Sequence, residues 1–333
     1  MARRQDGRGW GSGTRSPRSC PAVLRCEEYD VAPPGYGEVR IRHAAVGVNF
    51  NDIYFRSGLY PVALPSPLGR SAAGIVEELG AGVADVRVGD RVAYASSPLG
   101  AYSSERIVDT RYLVPVPDGV GLDVAAASTM RGMTAAYLMR RIHPWRAGDS
   151  LVLHAAAGGV GLIVSQWARH LGLRVIGTVS SPEKAGIALD HGCEHVIVRG
   201  TTGEVVEKVM ALTGGRGVPV VLDGVGRSTF DASLRVLSRR GLFVSFGASS
   251  GPVPPIDAIE LGRRGSPFFT RPALADYAST RKERVELAGE FFQLVESGVI
   301  RVHVNQRLAL ADCAQAHRAL ESGGSVGVSV LVP

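Results

Sequence analysis

Short apolar runs alternate with longer amphipathic stretches from about residue 150 onward. The runs are rich in Val, Ile and Leu, start 21 to 25 residues apart, and cover residues 151–155, 174–179, 195–198, 218–223, 242–246 and 267–270. This spacing is the length of one strand followed by one helix. Strands that are apolar throughout, joined by crossover helices, predict a doubly wound parallel sheet of about six strands.

The stretch between the first two runs shows the helical pattern most clearly. Its apolar residues fall on one stripe, formed by Val160, Val164, Trp167 and Leu171. The polar residues Gln166, Arg169 and His170 are predicted to face away from that stripe.

The flanking segments have a different pattern. Residues 21–125 are rich in Val, Gly and Pro, with turn signals between short strand-like runs, and this predicts a mainly β region. The last segment predicts helices over 281–297 and 310–322 and a strand over 326–332. We therefore expect a β-rich domain built from residues 21–128 and 271–333, and an α/β domain of residues 129–270.

A glycine-rich segment follows the first strand and opens the first helix. Residues 154–161 read His-Ala-Ala-Ala-Gly-Gly-Val-Gly. Measured against G-x-G-x-x-G, Ala156 takes the first place, and Gly158 and Gly161 take the other two. Gly158 would let the backbone approach a pyrophosphate, and Gly161 would let the helix pack on the strand.

This segment predicts a Rossmann-type dinucleotide site, with a tight structural turn as the alternative. The expected cofactor contacts in the loop are Ala157, Gly158, Gly159, Val160 and Gly161.

The end of the second strand lacks the acidic residue that would bind a ribose 2′-hydroxyl. Instead, Ser180 and Ser181 precede Lys184, and Arg199 follows the third strand. Hydroxyls and cations suit a 2′-phosphate, so we expect NADPH rather than NADH. Glu183 argues against this interpretation, and a merely solvated Lys184 is the alternative.

Charge is unevenly distributed along the 333 residues. The net charge is +6, of which residues 1–20 carry +4 and the other 313 residues only +2. A nearly neutral body argues against a polyanion partner. The 42 glycines show no Gly-X-Y repeat, which excludes collagen. We expect residues 1–20 to be a disordered or atypical stretch.

Cysteine spacing and hydropathy bear on compartment and metal binding. The four cysteines, Cys20, Cys26, Cys193 and Cys313, match no zinc pattern. No stretch reaches 18 consecutive apolar residues, so we expect a cytoplasmic protein with no membrane span. The histidines lack metal-ligand spacing, and we interpret His143, His170, His191, His195, His303 and His317 as structural.

Several blocks resemble the zinc-independent NADPH:quinone oxidoreductases, the zeta-crystallin-like family of the medium-chain dehydrogenase/reductase superfamily. They lie in unbroken order within residues 21–333, at 47–61, 99–104, 154–163, 166–168, 239–247, 270–272 and 297–300. The resemblance implies a GroES-like catalytic domain beside the NADPH-binding domain, with NADPH in the cleft between them. It also implies transfer of a hydride, or of single electrons, to a quinone, and a homodimer formed through the sixth strand.

Zinc-dependent relatives carry a cysteine where this chain has Asn49 and a histidine where it has Arg70. Ser71 stands where relatives usually carry Glu, and the cysteines of the structural zinc lobe are absent. The resemblance therefore implies no metal, and an acceptor polarised by hydrogen bonds, such as a quinone or an enone.

The resemblance also suggests roles for individual residues. Asn49 would contact the nicotinamide ribose, Asp52 would brace its loop, and Tyr54 and Tyr60 would line the acceptor site, which makes Asn49, Tyr54 and Tyr60 the candidate catalytic residues. Related enoyl reductases place a proton-donating tyrosine at the Tyr60 position, and a packing aromatic is the alternative. Further expected cofactor contacts are Thr134, Val225, Phe246, Gly247, Ser249 and Arg271.

The resulting hypothesis is an NADPH-dependent quinone reductase. Reduction of α,β-unsaturated carbonyls is the close alternative, because both reactions use the same hydride. Some relatives bind RNA or serve as structural proteins, so a non-catalytic role is a further alternative. The 6% aromatic content, without basic-aromatic interleaving, argues against nucleic acid as a partner.

Overall fold

The structure is a computed structural model that describes residues 8–14, 20–324 and 326–333. These residues fall into two compact units. The first unit contains the described residues up to Thr134, together with Ala278–Gly298 and Val302–Pro333. The second unit contains Ala135–Tyr277 and Val299–Arg301.

The N-terminal part of the chain consists mainly of strands. In order, its elements are β1 (Arg8–Thr14), β2 (Leu24–Asp30), β3 (Glu38–Val48), α1 (Phe50–Ser57), β4 (Ser66–Pro67), β5 (Ala72–Leu79), β6 (Arg91–Tyr94), β7 (Glu105–Asp109), β8 (Leu113–Pro115) and α2 (Leu122–Arg140).

Strands and helices alternate in the next part. Its elements are β9 (Ser150–His154), α3 (Gly159–His170), β10 (Arg174–Val179), α4 (Pro182–Asp190), β11 (His195–Val198), α5 (Thr202–Leu212), β12 (Val218–Asp223), α6 (Phe230–Arg235), β13 (Leu237–Ser245), α7 (Ala258–Arg263), β14 (Phe268–Thr270) and α8 (Leu274–Tyr277). The chain ends with α9 (Arg281–Glu296), β15 (Val304–Ala309), α10 (Cys313–Glu321) and β16 (Val328–Val332).

The first unit is built around β3. This strand pairs antiparallel with β5, β7 and the C-terminal strand β16, so the end of the chain completes the unit that its N-terminal part begins. Val39, Ile41 and His43 alternate along β3 and are buried, while Arg42 between them is exposed. This period of two is that of a strand with one face on the core.

The second unit contains a parallel sheet in the order β11-β10-β9-β12-β13-β14. This is strand order 3-2-1-4-5-6, that of the Rossmann fold. The order reverses between β9 and β12, and ligands of such sheets bind outside the carboxyl ends of the strands at that point. The predicted doubly wound sheet is confirmed, with six strands within the described residues.

The N-terminal stretch differs from the sequence expectation. Arg8–Thr14 forms strand β1, antiparallel to β2, and also pairs with β4. A β-ladder consists of backbone hydrogen bonds, so a segment with alternating glycines can be held by a neighbouring open strand edge. Within the stretch 1–20, expected to be disordered or atypical, residues 8–14 thus form a regular strand, whereas residues 1–7 and 15–19 lie outside the described part of the chain.

Helix α3 is buried on more sides than its pattern predicts. Gln166, predicted to face away from the apolar stripe, is buried, and its side chain bonds to both the carbonyl (3.1 Å) and the amide (2.9 Å) of Arg301. The amide side chain thus satisfies the backbone of a segment that passes over the helix. Within the described residues, no helix has the length and apolar character needed to cross a membrane.

Candidate active site

The loop between β9 and α3 folds tightly at the predicted phosphate site. Ala155 has a left-handed φ of 55°, and its carbonyl accepts a 2.9 Å hydrogen bond from the Gly158 amide. A Cβ on Gly161 would lie 2.4 Å from the Ala155 carbonyl oxygen and 2.6 Å from that of Ala156. Only glycine fits position 161, whereas a Cβ on Gly158 would meet nothing closer than 3.1 Å.

The first turn of α3 presents its amides at the same loop. The helix starts at Gly159, with Gly158 as its N-cap and Ala157 buried just before it. An α-helix leaves the amides of its first turn without intrahelical acceptors, here those of Gly159, Val160 and Gly161. These amides and the positive end of the helix dipole suit an anion such as a pyrophosphate.

Two cations and a hydroxyl meet at the ends of β10 and β11. Lys184 Nζ donates to Ser180 Oγ at 3.2 Å, and Arg199 Nη1 donates to Ser228 Oγ at 3.5 Å. Partial burial lowers the pKa of Lys184, and the nearby charge of Arg199 lowers it further. Two positive charges that repel each other are stabilised when an anion binds between them.

Asp223, which the sequence analysis did not single out, organises the loop after β12. Its carboxylate accepts hydrogen bonds from the amides of Val225 (2.7 Å) and Gly226 (3.0 Å) and from the hydroxyls of Thr229 (2.7 Å) and Ser233 (3.1 Å). An aspartate at the end of an apolar strand, followed by two closely spaced glycines, is the sequence signal that could have indicated this role.

The loop after β13 lies against the same segment. The amides of Phe246 (2.9 Å) and Gly247 (3.3 Å) donate to the Asp223 carbonyl, and the Ser249 amide donates to the Gly224 carbonyl at 3.3 Å. A Cβ on Gly247 would lie 2.4 Å from that Gly224 carbonyl oxygen. The structure therefore brings the cofactor residues predicted in these two loops together at the switch-point edge.

Of the two other predicted contacts, Arg271 lies beside this loop and Thr134 lies in the first unit. Arg271 follows β14, and its Nη1 donates to the Ser245 carbonyl at 2.7 Å, which holds it at the carboxyl end of β13. Thr134 belongs to the first unit, where its hydroxyl donates to the Met130 carbonyl of α2 at 2.8 Å.

In the first unit, Asn49 precedes α1 and is held through both its backbone and its side chain. Its amide donates to Asp52 Oδ2 at 2.8 Å, and its Nδ2 donates to Ser71 Oγ at 2.9 Å. The buried Arg131 donates to the carbonyl of Val48, the residue before it. Ser71 thus keeps a buried hydrogen bond at a position where the family resemblance leads one to expect Glu.

A chain of buried hydrogen bonds connects Asp52 to the C-terminal helix α10. The Tyr102 hydroxyl donates to Asp52 Oδ2 at 3.1 Å and lies 2.9 Å from His317 Nε2. His317 Nδ1 lies 3.1 Å from Arg56 Nη1, and Arg56 forms an ion pair with Glu321. Because arginine can only donate, His317 Nδ1 accepts, and its Nε2 proton points to Tyr102.

Burial determines which of these groups carries charge. It raises the pKa of Asp52 to about 6, and it lowers the pKa of His317 to about 3 with a contribution from Arg56. Burial also lowers the pKa of Arg131 to about 10, while Asp52 opposes that shift. At neutral pH, a charged Asp52 therefore faces the positive Arg131, and His317 stays neutral.

The two predicted acceptor-site tyrosines are neighbours. The Tyr54 and Tyr60 rings meet edge to face with centroids 5.2 Å apart, and the Tyr60 ring meets Phe55 in the same way at 5.4 Å. The Tyr60 amide donates to the Tyr54 carbonyl at 3.0 Å, which fixes the turn after α1. Tyr54 is buried, and Tyr60 is partly exposed.

Among the described residues, no group of three or more His, Cys, Asp or Glu side chains is placed to hold a metal ion. The positions that hold zinc ligands in zinc-dependent relatives are occupied by an amide, Asn49, and a guanidinium, Arg70. Arg70 donates to the carbonyls of Ser97 (2.7 Å) and Ser96 (3.0 Å), so this donor set does not suit a metal cation.

Comparison with known proteins agrees with this geometry. Residues 35–118 match the alcohol dehydrogenase GroES-like domain, and residues 159–271 match the zinc-binding dehydrogenase family. A quinone oxidoreductase from Pseudomonas aeruginosa is 47% identical over 94% of this chain and 96% of its own length. A 2-haloacrylate reductase from a Burkholderia species is 44% identical over 92% of this chain and 94% of its own length.

Among solved structures, the Escherichia coli quinone oxidoreductase complexed with NADPH superimposes with a TM-score of 0.94 at 43% identity, covering 97% of this chain and 100% of that one. The chain therefore belongs to the quinone oxidoreductase family of the medium-chain dehydrogenase/reductase superfamily.

Proposed function

We propose that this protein is an NADPH-dependent quinone reductase. The observation that carries the proposal is the cluster of Ser180, Lys184 and Arg199, which offers two cations and a hydroxyl to the 2′-phosphate that distinguishes NADPH from NADH. Two of the relatives named above are quinone oxidoreductases, and the one from Escherichia coli was solved with NADPH.

The nucleotide-binding unit fits this cofactor. The close backbone approach at Gly161 and the amides of Gly159 and Val160 form a cradle for the pyrophosphate. When bound, NADPH supplies a hydride, or electrons one at a time, to the acceptor. The further residues that we propose to contact it are Asp52, Thr134, Ala157, Gly158, Val225, Phe246, Gly247, Ser249 and Arg271.

The first unit supplies the residues that position the nicotinamide ribose and the acceptor. Asn49 contacts the nicotinamide ribose and is preorganised for this, since Asp52 holds its amide and Ser71 its side chain. Arg131 fixes the preceding carbonyl, that of Val48. The cluster of Tyr54 and Tyr60 lines the acceptor site. The Tyr60 hydroxyl donates a proton to the oxygen of an acceptor that becomes negative on reduction.

A second candidate activity is the reduction of α,β-unsaturated carbonyl compounds. It is favoured by the 2-haloacrylate reductase relative at 44% identity, because a haloacrylate carries a double bond conjugated to a carboxylate. Both reactions use the same hydride of NADPH, but the enolate formed from an enone needs a proton donor, whereas a hydroquinone anion can also take its proton from water.

The experiment follows oxidation of NADPH by the intact protein with 1,4-benzoquinone, 9,10-phenanthrenequinone and a 2-alkenal in parallel. Turnover with the quinones at a kcat/KM well above that with the alkenal supports the proposal. Faster turnover of the alkenal would favour the second candidate, and no oxidation with any acceptor would contradict both.

We further propose that the protein acts in the cytoplasm as a homodimer. Its four cysteines are free, and only Cys20 and Cys26 lie close together in the sequence, which suits a reducing compartment. Strand β14 ends the sheet order, and its Phe268 is 60% exposed, so this edge could pair with a second copy. Light scattering of the wild type and of Phe268→Arg tests this, since a variant still dimeric at the same concentration would argue against that edge.

A further inference from the structure

Arg70 has a guanidinium group that the described residues of its unit hydrogen-bond only in part. Its Nε donates to the Ser97 carbonyl at 2.7 Å and its Nη2 to the Ser96 carbonyl at 3.0 Å. These two bonds fix the plane of the half-buried guanidinium. Within the described residues, Nη1 has no hydrogen-bond acceptor, although it carries two N–H groups.

No carboxylate among the described residues pairs with Arg70. In this respect it differs from Arg56, which pairs with Glu321, and from Arg40, which pairs with Glu78. The nearby Asp52 already accepts hydrogen bonds through Oδ2 and forms no ion pair with Arg70. A partly desolvated and unpaired guanidinium binds an incoming anion more strongly than a solvated one does.

The guanidinium lies on the aromatic cluster that contains the two tyrosines. Its central carbon is 5.8 Å from the centroid of the Phe55 ring, and the Tyr60 ring packs against that same Phe55. Burial lowers the pKa of Arg70, and the Asp52 carboxylate opposes that shift most strongly. The hydroxyl groups of Tyr112 and Tyr60 act in the same direction as Asp52, so the Tyr60 hydroxyl lies within electrostatic reach of the guanidinium.

A second buried arginine adds to the positive potential. Arg284 donates to the Ala95 carbonyl at 2.9 Å and lies 4.9 Å from the centroid of the Tyr112 ring. Burial lowers the pKa of Arg284, and Arg70 is among the charges that lower it further. Excess positive charge on partly desolvated groups attracts anions.

We propose that Arg70 selects acceptors that carry an anionic group, a carboxylate or sulfonate, next to the bond that is reduced. The guanidinium binds this group through Nη1 while its other nitrogens stay anchored to Ser96 and Ser97. A planar cation held by two carbonyls is preorganised for such a contact. The inference rests on the proposed reductase function and adds a substrate class to it.

The test compares 1,4-naphthoquinone with 1,4-naphthoquinone-2-sulfonate, which share a ring system and differ in charge. Arg70→Gln should lower kcat/KM for the sulfonate by about 10- to 100-fold, the effect of losing a charge-assisted hydrogen bond. The neutral quinone should change by less than about threefold, and Arg70→Lys, which keeps the charge, should fall between wild type and Arg70→Gln. The neutral quinone also reports whether each variant is folded.

Arg106→Gln is the matched control. Arg106 also donates to carbonyls of this loop, those of Pro98 and Leu99, but its guanidinium lies over the Tyr94 ring, 5.6 Å from the centroid. This variant should leave the ratio of the two rates unchanged. If Arg70→Gln slows both quinones equally, or slows neither, the proposed role of Arg70 is wrong and the reductase function still stands. A wild-type protein that oxidises NADPH with neither quinone would contradict the reductase function itself.

Discussion

At the scale of single residues, the buried chain from Asp52 through Tyr102 and His317 to Arg56 has a fixed direction. Arg56 can only donate, so every hydrogen of the chain points toward the Asp52 carboxylate. Protonation of His317 would place an N–H against the guanidinium of Arg56. The low pKa of this histidine follows from that arrangement and from its burial.

This arrangement predicts how stability depends on pH. The pKa of His317 is about 3 in the folded protein and near 6.5 when unfolded, so below pH 6.5 only the unfolded chain gains the proton. Each pH unit of acidification then costs about 1.4 kcal/mol at this site. The stability it contributes is complete above pH 6.5 and is lost as pH falls toward 3.

His317→Gln cannot titrate, so its free energy of unfolding should fall less steeply than that of the wild type between about pH 6 and pH 4. Urea unfolding across that range measures the difference. His43, whose pKa burial lowers to about 4, and Asp52, whose raised pKa acts in the opposite sense, remain in both proteins. Parallel stability curves would contradict this account of His317.

Tyr60 provides a second test at this scale. Tyr60→Phe keeps the ring contacts with Tyr54 and Phe55 but removes the proposed proton donor. We expect kcat with a 2-alkenal to fall by about 100-fold, since general acid catalysis contributes that much or more, and the rate with a quinone to change little, because a hydroquinone anion can take its proton from water. Unchanged rates with both acceptors would leave Tyr60 as a packing residue.

At the scale of elements, the loop between β9 and α3 depends on Gly161, where its backbone segments approach each other closely. Gly161→Ala would place a Cβ 2.4 Å from the Ala155 carbonyl, so the loop must shift. We expect the dissociation constant for NADPH to rise by at least about tenfold, because the first-turn amides of α3 are displaced. Fluorescence titration with NADPH measures this.

Gly186→Ala is the control for that loop. Gly186 lies inside α4, and a Cβ there would meet nothing within 4 Å. The substitution should therefore raise the free energy of unfolding by about 0.5–1 kcal/mol and leave NADPH binding unchanged. Equal NADPH affinities in Gly161→Ala and the wild type would show that the close approach is not needed for binding.

The elements differ in how well the sequence predicts them. The parallel strands are apolar on both faces, so their runs stand out, and β10, β11 and β12 coincide with the predicted segments. Strand β13 starts earlier than predicted, at Leu237, because exposed Arg239 and Arg240 interrupt its apolar pattern. β1 has no apolar signal, since its stability comes from backbone pairing with β2.

At the scale of the whole molecule, the sequence identifies the site residues that belong to local motifs and misses those that act through distant contacts. The phosphate loop and Lys184 lie in short segments with a recognisable strand-loop-helix context. His317 shows no such signal, because its partner Tyr102 is 215 residues away and only the fold brings them together. The sequence shows Arg70 only as the residue that replaces a zinc-ligating histidine of relatives. That its Nη1 lacks an acceptor among the described residues is seen only in the structure.

Net charge is a poor guide to function in this protein. Most of the +6 lies in residues 1–20, while the cations proposed to act are the local pair Lys184 and Arg199 in the nucleotide-binding unit. The central claim, NADPH-dependent reduction of a quinone, therefore depends on two side chains rather than on an overall positive surface.

The most direct test is the ratio of kcat/KM for NADPH to that for NADH, measured with 1,4-benzoquinone in the wild type and in the double variant Lys184→Ala/Arg199→Ala. We predict a wild-type ratio of at least about 10 to 100, the contribution of charge-assisted bonds to the 2′-phosphate. The double variant should lose this preference through NADPH alone. A wild type that uses NADH equally well, or a double variant slowed equally with both cofactors, would contradict the account.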